Sequence, residues 1–318
     1  MLTNSTVGVP LALRASDIKQ HLINVDSRFR DSVHSTNASD FQFTLPSTVR
    51  NILRLRLTSI EFPSNYFFFT AKRGNVSFRL RYIPDVSNNP TVSIERDIVI
   101  PDGNYTATGM ATVLQLLMRS EPDLSGAVVS FSAVNGAYSF TTGVPFSFDT
   151  AYRCKDRLLD YGLGFYIGFT RGTHDAVAVT VSPPAYRLVS NICAYFAADN
   201  YIFLKINDFG CVQHTVREYT TDPTAPPRRC DEFTAMAKLV LRQPKNFMEF
   251  DDYSSDILKE VVFPAPTDLS RLRVQVVDRY GDVMDLCSSE FSFTLEITEV
   301  KNLSLYNTIR DSLAVQYL

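Results

Sequence analysis

Phe291, Phe293, Leu295 and Ile297 put an apolar side chain at every second position, and a period of two commits a segment to an extended strand with one buried face. The same period recurs along the chain. From Ile52 to Ile60, Leu53, Leu55 and Leu57 share one face while Arg54, Arg56 and Thr58 share the other. Phe41, Phe43 and Leu45 alternate up to Pro46, and Val76, Phe78 and Leu80 repeat the pattern. Leu272, Val274 and Val276 alternate into the turn Asp278-Arg-Tyr-Gly281. Shorter strand signals lie at His21–Phe29, Ala176–Val181, Tyr201–Ile206, Ala237–Leu241 and Val261–Phe263. Composition points the same way: 23 Phe and 15 Tyr favour a pleated, half-buried surface, and 16 Pro favour many loops. Short strands at irregular spacing with long polar loops predict a mainly β protein, a jelly-roll β-sandwich.

The middle of the chain breaks the pattern. Ser93–Ile100 reads as a strand and Pro101-Asp-Gly-Asn104 as a turn. Thr108 is then placed to cap a helix carrying Met110, Val113, Leu114, Leu117 and Met118. Val134-Asn-Gly136 between two strand signals predicts a hairpin. Phe146 and Phe148 make a short strand, and Cys154–Tyr161 a short helix. Residues 92–172 are thus expected to form a small α/β insertion of strand, helix and hairpin. The divisions that follow are an N-terminal arm over 1–19, a first part of the jelly roll over 20–91, its remainder over 173–300 with a long loop at 220–230, and a C-terminal helix over 301–318. Leu305, Ile309, Leu313 and Tyr317, spaced by four, draw a narrow apolar stripe along that helix.

Charge and cysteine usage narrow the function classes. A net charge of −3 gives no overall field for nucleic acid, and no specific nucleic-acid binding is expected. The first 60 residues hold a local excess of arginine that includes Arg28, Arg30, Arg54 and Arg56; an inter-subunit or solvated face is the favoured reading. No apolar run reaches the roughly 18 residues needed to span a bilayer. The N-terminus lacks the pattern of a signal peptide, so a protein made in the cytosol is expected. Five scattered cysteines suit a reducing compartment.

The chemistry-bearing residues form no recognisable constellation. Gly162-Leu-Gly164-Phe-Tyr-Ile-Gly168 is not followed by a βαβ unit and is read as tight packing beside aromatics. Cys211, His214, Cys230 and His174 lack paired zinc-ligand spacing, so no metal is assigned. Asp251, Asp252 and Asp256, and the pair Asp282 and Asp285, are read as solvated turns. No catalytic residue and no cofactor is assigned, and an enzyme is not expected. What remains is surface: Tyr66, Phe67, Phe68 and Phe69 either plug the end of a core or present an interface. The terminal helix packs on its own domain or in a neighbour's groove.

Several stretches resemble the jelly-roll minor capsid and penton proteins of nucleocytoplasmic large DNA viruses, such as those of algae and amoebae. They are Ile23-Asn-Val-Asp-Ser-Arg-Phe-Arg-Asp31, Asp40-Phe-Gln-Phe-Thr-Leu-Pro46 and Arg54–Phe69, which holds Ser59-Ile-Glu-Phe-Pro63. Further along come Ile98-Val-Ile-Pro-Asp-Gly-Asn-Tyr105 and Leu163-Gly-Phe-Tyr-Ile-Gly-Phe169. The set closes with Leu269-Ser-Arg-Leu-Arg-Val-Gln-Val-Val-Asp-Arg-Tyr-Gly281 and Phe291-Ser-Phe-Thr-Leu-Glu296. They follow the family's order from one end of the chain to the other. The resemblance implies a virion protein bound to major capsid capsomers and to other minor capsid proteins, with only indirect contact to an inner membrane. A minor capsid (cement) role is the first expectation. A penton at the five-fold vertices is the second, and a carbohydrate- or host-binding jelly roll on the virion surface the third. Candidate capsid contacts are Tyr66, Phe67, Phe68, Phe69, Arg54, Arg56, Leu305, Ile309, Leu313 and Tyr317.

Overall fold

A computed structural model describes residues 17–32, 37–155, 157, 159–218, 229–242, 248–251 and 259–316. The chain opens with β1 (Ile18–Asp26), a 3-10 turn at Ser27–Phe29 and the 24-residue β2 (Asp40–Pro63). Next come β3 (Ser77–Tyr82), β4 (Ile94–Val99), α1 (Ala107–Arg119), β5 (Val128–Ser132), β6 (Ala137–Thr142) and β7 (Phe146–Asp149). Then follow α2 (Leu163–Tyr166), β8 (Thr173–Asp175), β9 (Val177–Val181) and β10 (Pro184–Val189). The last third holds β11 (Tyr201–Ile206), β12 (Val212–Glu218), β13 (Arg229–Ala235), β14 (Ala237–Val240), β15 (Met248–Asp251), β16 (Glu260–Val277), β17 (Ser292–Val300) and α3 (Leu303–Gln316). The protein is mainly β, with curled antiparallel sheets.

Two compact units share the chain: Met1–Tyr66, Asn200–Thr215 and Glu232–Leu318 form one, Phe67–Asp199 and Val216–Asp231 the other. In the first unit the strands order as β1-β17-β2-β16-β11-β14, with β15 added to the end of β2. The strand expected to stop at Pro46 instead runs on to Pro63. Pro lacks an N–H and is tolerated where the ladder is interrupted, and β2 and β16 lose register repeatedly between Leu269 and Arg271 and around Thr267. The early half of β2 (Phe41, Phe43) pairs with Val274 and Leu272, and the later half (Leu55, Arg56) with Val261 and Glu260. The two strand signals Val261–Phe263 and Leu272–Val276 are accordingly one bent strand, β16. A bulge also corrects the face of Leu53. Ile52 pairs with Glu299 and Arg54 with Thr298, so the extra residue falls at Leu53 and Ile52 takes the buried place before Leu55 and Leu57. Around them pack Phe41, Ile60, Phe62, Leu272, Val274, Phe293, Leu295 and Ile297.

The second unit is wider than the 92–172 insertion expected from sequence. It takes in β3, assigned above to the first part of the jelly roll, and β9 and β10, assigned to its remainder. Its strands form two sheets, β4-β3-β7-β8 and β5-β6-β10-β9. Helix α1 buries Met110, Ala111, Leu114 and Met118, while Val113 and Leu117 are partly buried beside them. Its cap is Thr106, not Thr108: the Thr106 hydroxyl accepts from the Gly109 N–H at 3.0 Å. The hairpin at Val134-Asn-Gly136 forms as expected, with Gly136 at φ +64° and the Asn135 amide oxygen accepting from Ala137 N–H. Among the described residues of 154–161 there is no helix; the single turn of α2 follows at Leu163–Tyr166. At the N-terminus, β1 begins at Ile18, so the last two residues assigned to the arm belong to the sheet. The rest of that arm and most of the loop at 220–230 lie outside the described residues.

Candidate contact surfaces

The aromatic run divides between two cores. Tyr66 is fully buried in the first unit, its ring 6.4 Å from Phe62. Phe68 and Phe69 are buried in the second, where each meets Tyr166 edge-on at 5.1 and 5.4 Å. The turn at Pro101–Asn104 fixes them there. Phe68 N–H donates to the Asn104 side chain at 2.8 Å, Ala71 N–H to Asp102 at 2.9 Å, and Phe69 exchanges backbone bonds with Gly103. Of the four rings only Phe67, 41% exposed, faces solvent. For Tyr66, Phe68 and Phe69 the core-plug reading is therefore the correct one, because their rings are already covered by their own chain.

Arg54 and Arg56 lie on the polar face of β2, between two rows of glutamates. Arg56 stands opposite Glu260 on one neighbour and Glu296 on the other. Arg54 reaches Glu296 at 3.1 Å, Glu260 at 3.7 Å and the Thr298 hydroxyl at 3.3 Å, tying three strands. Gln20 on β1 adds a further bond to Glu296. Two further arginines of the early excess are matched: Arg28 pairs with Asp26 at 2.6 Å, and Arg30 with Glu290 at 2.8 Å. An arginine engaged by carboxylates on its own chain has little left for phosphate, which argues from geometry for a structural role of this face.

In α3, Asn302 accepts from Leu305 N–H at 3.1 Å and so caps the first turn. Leu305 is half-buried and Ile309 is buried against its own chain at 7% exposure. The Leu313 side chain and Tyr317 lie outside the described residues.

The titratable residues weighed for metal have other occupations. The Cys211 thiol donates to Met236 carbonyl at 2.8 Å, and burial pushes its pKa up, the opposite of what a thiolate ligand needs. His214 lies 3.0 Å from Arg279 carbonyl, with its ring among Phe203 and Phe233. His174, in the other unit, lies 2.7 Å from Thr170 carbonyl. Asp285 accepts from Cys287 N–H, and Asp282 closes the Asp278 turn. The side chains of Cys230 and Asp251, and residues Asp252 and Asp256, lie outside the described residues. The glycines at 164 and 168 are packing residues: a Cβ on Gly164 would sit 2.5 Å from Thr150 Cβ, and Gly168 holds φ +89° against Ile192 carbonyl.

Sequence reasoning missed the contacts among the family-like stretches themselves. In the first unit Ser27 N–H donates to Phe291 carbonyl and Phe291 N–H to the Ser27 hydroxyl, both at 2.9 Å, while the hydroxyl also bonds Glu290. Asp31 N–H donates to Gln42 carbonyl, and the Thr44 hydroxyl to Asp31 at 2.6 Å. Ser292 donates to Glu61 at 2.7 Å, across the β17–β2 pairing. Asp26 is held well below the usual carboxylate range, chiefly by the Arg28 hydrogen bond. Only the alternation of charged and apolar residues hinted at these partners.

No family model and no curated protein sequence matches the chain. Among solved structures, the mavirus penton protein aligns at a TM-score of 0.45 and 10% identity, over 89% of this chain and 99% of that one. A chain of the Sputnik virophage structure aligns at 0.41 and 9%, over 89% and 98%.

Proposed function

We propose that this chain is a structural protein of a virus capsid, a minor capsid (cement) protein of a large icosahedral double-stranded DNA virus that links major capsid capsomers and other minor capsid proteins. One observation carries the reading. Stretches that resemble that family one by one, and lie far apart in sequence, are partners of each other. Ile23–Asp31 is bonded to Asp40–Pro46 and to Phe291; Asp40–Pro46 pairs with Leu269–Gly281; Ser59–Pro63 pairs with Phe291–Glu296. In the second unit Ile98–Tyr105 holds Phe68 and Phe69, which pack on Tyr166 of Leu163–Phe169. Chance resemblances scattered along a chain have no reason to meet in this way. The resemblance thus falls on the framework that a shell component needs to be rigid, and strength in a lattice then comes from many modest contacts acting together.

The test is light scattering of the recombinant chain alone and mixed with the major capsid protein of its virus. A stable mixed complex is the expected result. A closed pentamer that forms without the major capsid protein moves the assignment to the five-fold vertices. Absence of both a ring and a mixed complex overturns the capsid reading, and binding on a glycan array instead would favour a surface receptor-binding role.

A further inference from the structure

Four residues stand in one row across the sheet β4-β3-β7-β8 of the second unit. Glu95 is opposite Arg81, Arg81 opposite Ser147, and Ser147 opposite Asp175. Directly opposed residues share a face, so the four side chains project from the same side of the sheet. With strands about 4.8 Å apart, the Arg81 and Asp175 backbones lie roughly 10 Å from each other. On that row only the short side chain of Ser147 stands between them, and the gap is a cavity of about 250 Å³. Ile83, Pro145, Phe146 and Ala176 supply apolar walls, and Ser93 adds a hydroxyl to the lining.

The polar groups of this notch divide into those with partners and those without. The Arg81 guanidinium donates to Glu95 at 2.6 and 3.0 Å, which draws it toward β4, on the far side from Ser147. The Asp175 carboxylate has no hydrogen bond or ion pair among the described residues. Ser147 is 9% exposed, and its hydroxyl has no partner among them either. A hydroxyl buried to that extent calls for a partner from outside the chain. The unpaired carboxylate beside it sets the sign of that partner as positive.

We infer that the notch receives an arginine side chain presented by a different protein. Asp175 is the unpaired charge of the lining, so the complementary occupant is a cation. Its two carboxylate oxygens match the planar fork of a guanidinium, and the Ser147 hydroxyl accepts a further N–H beside them. The stem lies against Ile83, Pro145 and Phe146, as long charged side chains bury their carbon chains on apolar surface. Sites for small molecules run to roughly 300–1,000 Å³, so this smaller volume suits a single side chain. A second copy of the chain is poorly supplied with the group: Arg30, Arg54, Arg73, Arg96 and Arg153 are each held by a carboxylate of their own chain. A contact of this kind fixes register and orientation between two proteins more than it adds affinity. Its chemistry does not depend on the capsid assignment.

The test titrates N-acetyl-arginine amide into the full chain and reads binding by saturation-transfer NMR. N-acetyl-citrulline amide, nearly the same shape without the charge, is the control. A saturable signal from the arginine derivative and none from citrulline is expected. Asp175→Asn is expected to weaken the affinity about tenfold or more at an unchanged melting temperature, since a hydrogen bond to a charged group is lost. Should Asp175→Asn shift the melt, Ser147→Ala takes its place and is expected to weaken the arginine derivative about threefold or more. Equal signals from the two compounds, or an arginine signal that neither substitution weakens, overturns the inference. Light scattering separates the sources: self-association of the chain that Asp175→Asn abolishes would put a second copy in the notch and overturns the choice of a different protein. Arginine binding by a chain that forms no complex with the major capsid protein supports the notch while counting against the capsid reading, so the two fail separately.

Discussion

Phe67 and Phe68 are neighbours of the same chemical type with opposite assignments, because the turn at Pro101–Asn104 binds the backbone of Phe68 and Phe69 and leaves the ring of Phe67 facing outward. Phe68→Asp places a carboxylate among Phe69, Tyr166 and the Arg73 guanidinium and is expected to cost more than about 4 kcal/mol, which a circular dichroism melt would show as loss of the folded baseline. Phe67→Asp is expected to shift stability by about 0.5 kcal/mol or less, and an effect confined to binding assays would mark it as a contact residue. Asp26 makes a different prediction. Its pKa is lowered in the fold, so its contribution is fully present above the ordinary value of 3.8 and is lost as pH falls through the folded value. Urea midpoints should therefore show Asp26→Asn less stable than the parent at neutral pH, with the gap closing in acid. A gap independent of pH would mean that the Arg28 pair is not its source.

At the scale of elements, caps and bulges decide boundaries that periodicity leaves open. Two threonines, Thr106 and Thr108, precede the apolar stripe of α1, and either spacing fits a cap by sequence. Thr106 takes the role because it is the residue in extended conformation, at φ −79° and ψ 160°, three before Gly109 N–H. Thr106→Ala is expected to lower stability by about 1 kcal/mol, and Thr108→Ala by much less, in paired denaturant titrations. Equal losses would mean that the two hydroxyls share the helix end. The same logic explains β2 and β16: period two was legible in each piece, but the bulges that join pieces into long bent strands depend on a partner strand, which no local window contains.

For the whole molecule, each unit has its own buried cluster, one around Leu55, Leu295 and Val274, the other around Phe78, Phe148 and Phe169. Separate cores give separate sources of cooperativity. Calorimetry is expected to resolve two transitions, or a van't Hoff enthalpy below the calorimetric one. Leu295→Ala and Phe148→Ala should each depress a different transition, by about 2–5 kcal/mol of local stability. A single transition moved equally by both changes would show that the units unfold together.

Sequence by itself determined the mainly β class, most strand positions, the helix α1, the hairpin at Asn135-Gly136 and the C-terminal helix, because each follows from a period or turn residue read within a short window. It also determined the resemblance that orders the functional proposal. Tertiary structure alone decided that residues 67–91 and 173–199 belong to the second unit, that Arg30 and Arg54 are matched by glutamates up to 260 residues away, and which rings of Tyr66–Phe69 are buried. Those outcomes depend on which strands meet across long separations. Burial and pairing are properties of both partners, and a one-dimensional pattern describes only one of them at a time.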